Sequence, residues 1–381
     1  MKKILALIMV ALLIFCIASC GKKDEDTDSK ETNNLSQKPS MEVETGTFVF
    51  DANEDGEYEI IDYTPKTIDL VDLTLPKSTA DGHDIVGIGE GAFKADNTIK
   101  SVTIPETYKY IGKQAFYDCG TLVTVTTTDS IVRIDEGAFT KCTNLANMTW
   151  SKSLDTVSAF AFSECKSLTS ANLSNATTVI GEGAFFECKN LTDVTISDKL
   201  VSVENNAFLN CDQLKFGTFD NGLYLGNESN PYIAFIGVNN LNVKECTVND
   251  STKIIATDAF ANCDDLKDVT LGKSVTHVNG DCFTNSDNIE YFEYENAFYL
   301  KLGTAEDAGL VMIAVDNSSV EKFTVHERTA IIADSALAEC ENIRNISYAK
   351  TAEDWNKILK SDTWNHDMII VIYCKDAEIN S

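Results

Sequence analysis

Histidine is scarce in this chain, four residues among 381. They are His83, His277, His326 and His366, and none shares a short motif with a serine or a cysteine. A nucleophile needs a base beside it, so Ser–His or Cys–His catalysis has little to start from. No P-loop, zincin or G-x-S-x-G stretch occurs. Positive charge is also short. Lysine and arginine number 31 against 59 aspartates and glutamates, a formal net charge of −28. Such a surface repels phosphate, which argues against nucleic acid and against broad attachment to anionic lipid. The apolar run at residues 4–17 is too short for an ordinary membrane span.

What the chain has in abundance is repetition. An Ala-Phe pair appears at Phe93, Phe116, Phe139, Phe162, Phe185 and Phe208, each 23 residues from the next, and again at Phe260. Altered copies end in Phe283 and Leu337. Five residues before each of these positions stands an aliphatic, from Ile88 to Ile332. Three after it stands a cysteine in seven copies: Cys119, Cys142, Cys165, Cys188, Cys211, Cys263 and Cys340. Asp96 and Ser286 take that place in the other two. Six after it comes Leu or Ile, and then a short alternating segment such as Val194-Thr195-Ile196. Alternation over so few residues reads as a half-buried strand. A fixed period of this size is the mark of a solenoid, in which each unit buries its apolar face against the next.

The combined pattern I-G-x-x-A-F-x-x-C-x-x-L-x-x-V-x-I resembles the BspA-type leucine-rich repeat of bacterial surface proteins, over roughly residues 58–374. The resemblance implies a right-handed horseshoe or arc with one parallel β-sheet on its concave face. Irregular or short helical turns would form the convex side. It implies display at the cell surface and adhesion or ligand binding; it implies no enzyme, and it carries no catalytic residues.

Residues 1–19 read as a secretory leader, with Lys2 and Lys3 ahead of the apolar run. Ile17-Ala18-Ser19-Cys20 resembles the bacterial lipobox, which implies cleavage before Cys20 and a diacylglycerol on its thiol. The acidic, almost apolar-free segment that follows cannot bury a core, so 20–46 is expected to be a disordered tether. Residues 47–85 are expected to cap the first repeat, starting with a hairpin that turns at Asp55-Gly56. The same loop matches an EF-hand pattern at Asp51, Asn53, Asp55 and Gly56, with Asp62 twelfth. Strand-like flanks favour the plain hairpin over a calcium loop.

The solenoid proper is expected over 86–348, in about eleven turns. Two modified repeats, near 217–250 and 292–325, read as β-hairpin insertions with polar tips at 227–230 and 304–308. Residues 349–381 are expected to close the other end, with Trp355, Ile358 and Leu359 on the inner side of a short helix. The cysteine column is interior and in register. It is therefore expected to be a ladder of buried thiols without disulfides, its Cβ atoms parallel. On that reading a serine at 165 would bury an unpartnered hydroxyl, at a cost on the order of 1–3 kcal/mol. Neither metal nor cofactor is expected, since the ladder offers no C-x-x-C cluster.

Between the two buried positions of each strand lie Thr103, Thr126, Thr149, Asn172, Thr195 and Thr218. They are expected to form a polar, hydroxyl-rich concave face, the candidate binding surface. Few aromatics project from it, which favours a protein partner over a glycan. The expected role is non-catalytic binding by a lipid-anchored, surface-displayed monomer. A glycan-capture module is the alternative. An enzyme whose carboxylate pair leaves no motif is the remote one.

Overall fold

The computed structural model describes residues 38–380, apart from 174, 280, 316–319, 335, 339, 362, 363 and 367. The leader, Cys20 and most of the expected tether lie outside the described residues.

The repeats stack as a parallel β-solenoid of about 13 turns. The alternating segments form one series of parallel strands. Val71–Thr74, Ile99–Thr103, Thr124–Thr126 and Asn147–Met148 make a four-stranded sheet, and Ser170–Leu173 pairs with Asp193–Ile196. The gap between these sheets coincides with Trp150. It stands where other repeats carry a smaller residue, and it packs on Phe162 at 5.1 Å between ring centroids. Val71–Thr74 and, at the far end, Val371–Tyr373 add turns that were expected to be cap. That is why the array exceeds eleven turns.

One sheet was expected, and a second parallel ladder is present. Tyr110–Ile111, Arg133–Ile134, Thr156–Val157, Val179–Ile180 and Ser202–Val203 pair with one another and with Ile85–Ile88. These are the aliphatics five residues before each Phe. The hairpin Gly46–Ala52 and Tyr58–Pro65 joins this ladder through Ile85–Ile88 and caps it. Order begins before residue 47, because Ser40–Glu42 pairs antiparallel with Gly46–Ala52. The tether expected to reach 46 is therefore shorter. At the hairpin tip the Asn53 side-chain oxygen accepts from the amides of Asp55 and Glu57 at 3.0 and 2.9 Å. Asp51 and Asp62 sit along the strands, each in a cross-strand pair, so the loop is a hairpin turn.

The other side of each repeat is a run of tight turns. Among the described residues the one α-helix is Ala352–Asn356. Alternate amides take different partners. Lys94 and Asp96 donate three residues back, to Gly91 and Phe93, while Gly91, Phe93 and Ala95 donate to Lys113, Ala115 and Tyr117 in the next repeat. Left-handed residues two before and two after the Phe direct this alternation. They include Gln114, Phe160, Asp118, Lys141 and Glu164, with φ from 51° to 64°. Such a conformation costs a non-glycine residue roughly 1–2 kcal/mol, and the bonds to neighbouring repeats offset it.

The core runs the length of the array. Phe93, Phe116, Phe139, Phe162, Phe185 and Phe208 stack at 4.8, 5.2, 5.2, 5.4 and 5.5 Å, with planes within 12°. A second stack joins Phe235, Phe260 and Phe283. The cysteines between are free and buried. Five of the thiols have a partner that the sequence does not reveal. Sγ of Cys119, Cys142, Cys165, Cys188 and Cys211 donates to the carbonyl of the Phe 26 residues earlier, at 3.0–3.2 Å. Ser286 shows the same wiring in oxygen, since its Oγ donates to the Phe260 carbonyl at 2.6 Å and accepts from the Cys263 amide at 3.0 Å. The expectation of an unpartnered hydroxyl at this slot is therefore wrong.

At the C-terminal end Thr351 caps the helix by accepting from the Asp354 amide. Trp355, Ile358 and Trp364 are buried, but Leu359, expected inside, is 43% exposed. Its backbone is used instead, pairing with Ile332 and Ala330.

Candidate binding surface

The row of residues between the buried strand positions is set by register. Thr74, Thr103 and Thr126 lie side by side, and the Thr149 amide donates to the Val125 carbonyl and continues the row. Asn172 pairs in register with Thr195. Thr103, Thr126, Thr149, Asn172 and Thr218 are exposed, while Thr195 is half-buried. Two of the six thus depart from the expected row. Thr195 is flanked by Gly226 of the first modified repeat, which bridges to it. Thr218 belongs to the antiparallel strand Gly217–Phe219 and faces Leu223, so it leaves the parallel series. Four residues, Thr103 to Asn172, form the regular part of the face. Other hydroxyls look inward: Thr127, buried, donates to the Thr149 carbonyl at 2.6 Å.

The second ladder presents a different surface. Tyr110 lies over Gly87, where any Cβ would come within 2.2 Å of its ring. The Arg133 guanidinium sits 4.3 Å from the centre of the same ring. The Tyr110 hydroxyl donates to Glu59 at 2.6 Å. Burial pushes the Glu59 carboxyl up, against the downward pull of that hydrogen bond and of Arg133. Burial likewise raises Asp135, against its pairing with Arg133. This group is a packed polar strip, and Glu59 stands 51 residues from Tyr110 and 76 from Asp135, so no local motif announces it.

The modified repeats hold the largest departure. Each replaces the Ala-Phe half with antiparallel strands. Gly217–Phe219, Gly222–Leu225 and Ala234–Val238 form one set, and Phe292–Tyr294, Ala297–Leu302 and Leu310–Val315 the other. The expected hairpins are therefore present. Their tips are tied down. Asn227 donates to the Ile196 carbonyl, Asn230 donates to the Ser251 carbonyl, and Arg328 donates to the Glu306 carbonyl. They also expose aromatic side chains, Phe219 at 39% and Phe292 at 42%. His326 is packed edge-on against Phe292 and Tyr294 at 5.4 and 4.8 Å, and burial pushes its imidazole below the ordinary value. Repeat columns do not line up through the hairpins, and that is why the sequence row missed these rings.

Among the described residues no group of three or more His, Cys, Asp or Glu could hold a metal ion. No described helix is long and apolar enough to cross a membrane.

Comparison with solved structures returns leucine-rich repeat proteins. A leucine rich cell surface protein from Faecalibacterium prausnitzii is 22% identical, covering 84% of this chain and 98% of that one, with a TM-score of 0.41. A leucine-rich repeat protein from Bacteroides ovatus is 20% identical over 88% and 99%, with a TM-score of 0.45. One from T. pallidum is 25% identical over 57% and 87%, with a TM-score of 0.44. No curated protein matches the chain. The BspA type leucine rich repeat region matches in six copies, over residues 86–215, 233–303 and 312–365. These are the turns stacked above, and with well over half of its length matched the chain belongs to the BspA-type leucine-rich repeat family.

Proposed function

We propose that this protein is a non-catalytic binding protein of the bacterial cell surface, held there through a lipid on Cys20, and that its partner is a protein. The observation that carries this reading is the register of the exposed row. Thr103, Thr126 and Thr149 stand one strand apart along the parallel series, with Asn172 further along. Hydroxyls and an amide at regular strand spacing suit an extended polypeptide better than an enclosed small molecule. The adhesin-like role belongs to this proposal, as does the anchor.

The test has two arms. Cys20→Ala should release the protein from membranes or leave it unprocessed, read by fractionation and by mass spectrometry of the mature terminus. Thr103→Lys with Thr126→Lys should abolish partner capture from host-matrix or bacterial-surface extracts. Exposed substitutions of this kind change stability by about 0.5 kcal/mol or less each, so folding is kept. Capture unchanged by the lysines would move the site off this face. A mature terminus elsewhere than Cys20 would remove the anchor.

A further inference from the structure

We infer that the second modified repeat holds a cleft that takes a cationic side chain, lysine or arginine, of a partner polypeptide. The inference rests on the protein-binding reading above and places a specific contact within it.

Three observations carry it. The phenylalanine stack ends at Phe283, and the rings beyond it turn. Tyr291 meets Phe283 edge-on at 6.2 Å and 88°, and Phe298 is tilted 42° from Tyr291 at 5.5 Å. The rings border an open cleft of about 600 Å3, within the range of sites for small ligands or a long side chain or two. Asp287, Glu290 and Glu293 line the same cleft, no basic residue does, and all three carboxylates are exposed. None of them has an ion pair among the described residues. A cation brought among three carboxylates is attracted by each of them. Aromatic faces attract the same cation within about 6 Å. They also cover the aliphatic stem on which lysine and arginine carry it.

The third observation is an internal control. Thr218 pairs with Leu223 in the first modified repeat as Glu293 pairs with Phe298 in the second. Counting from these pairs, Lys215 corresponds to Glu290 and Phe216 to Tyr291. The hairpin architecture therefore accommodates a lysine and a threonine where the second copy carries two glutamates. The acidic, ring-lined cleft is a property of one repeat and not of the fold. Its charge excludes an acidic or phosphorylated segment.

Purified full-length protein should bind a short alternating Gly–Arg peptide, read by fluorescence anisotropy, and bind its uncharged Gly–citrulline counterpart about tenfold more weakly or worse. Glu290→Lys with Glu293→Thr installs the residues of the first modified repeat and should weaken the arginine peptide by at least about tenfold. Glu182→Lys with Asp193→Thr makes the same change of charge on the regular array and should cost less than about twofold at physiological salt. Phe298→Leu, again the residue of the first copy, should lower affinity without changing charge. Equal losses in the cleft and array variants would make the attraction a matter of net charge and overturn the site. So would a citrulline peptide that binds as well as the arginine one, or a neutral oligosaccharide that binds in place of either. Failure here leaves the wider reading standing, because partner capture through the threonine row is measured separately.

Discussion

From Phe93 to Phe208 the chain repeats itself faithfully; in the two modified repeats it does not. In the regular part each side chain is satisfied by its own copy. A ring stacks on the next ring at 4.8–5.5 Å, and a thiol donates to a carbonyl 26 residues back. In the modified repeats a long strand does two jobs. Ala297–Leu302 pairs antiparallel with both neighbours in its hairpin and parallel with Asp268–Leu271. Aromatic residues then emerge at the surface, because the ring stack has no next member there. The contrast teaches where specificity sits in such a molecule. Perfect repetition directs side chains at one another, and a break in repetition leaves side chains free for something else.

The comparison is broken most severely by removing a ring from each part. Phe139 stacks on Phe116 and Phe162, both at 5.2 Å, and Phe139→Ala should cost about 3–5 kcal/mol in denaturant unfolding. Phe283 is partly buried and has one stacked neighbour, Phe260. Phe283→Ala should cost roughly half as much. Equal costs would mean that the end of the stack is as tightly held as its middle. Because repeat arrays lose two-state behaviour easily, local hydrogen exchange should accompany the melts.

Alkali is the next lever. Burial raises the Cys211 thiol from 9.0 to about 12 and Cys263 to about 11. A folded-state value above the unfolded one means the thiol's contribution is complete below pH about 9 and is lost as pH rises toward 11–12. Melting temperature should hold between pH 7 and 9 and fall steeply above, and Cys211→Ser should flatten part of that fall. A flat profile to pH 11 would show that the thiols titrate alike in both states.

The smallest expected effect is Cys165→Ser. Ser286 already occupies the equivalent slot with the same carbonyl geometry, so the substitution should cost less than about 1 kcal/mol, and Cys165→Ala about 1–2 through the lost bond and the void. A serine that costs as much as the alanine would mean that the regular repeats do not tolerate oxygen where the altered copy at Phe283 does.

Much of the fold was legible in the sequence. The columns ending at Phe93 to Phe208 gave the period, the buried thiols and the strand positions, because each column meets its own copy. The second ladder was hidden, since strands of two residues such as Arg133–Ile134 have no period to read. The left-handed turn before the Phe has a signal in Gly91, Gly137 and Gly183, but the one after it was hidden, because Asp118, Lys141 and Glu164 fill positions where glycine would have marked it. The candidate face was legible only where repetition holds. Thr103 to Asn172 are exposed as the pattern implies, while Thr195 and Thr218 adjoin an insertion whose path the pattern cannot follow.

The thiol-to-carbonyl wiring has a consequence for how such a chain can grow. Excising a 23-residue unit between Phe116 and Phe185 lets the thiol-to-carbonyl bonds and the ring stack re-form. With residues 139–161 removed, Cys165 would donate to the Phe116 carbonyl that Cys142 uses now, and Phe162 would stack on Phe116. Duplication is equally silent. The modified repeats have no such freedom, because each is spliced to its neighbours by antiparallel pairings that the regular repeats lack. Recombination can thus lengthen or shorten the spacer between the N-terminal hairpin and the acidic cleft in whole-repeat steps of roughly 5 Å. The cleft itself stays intact.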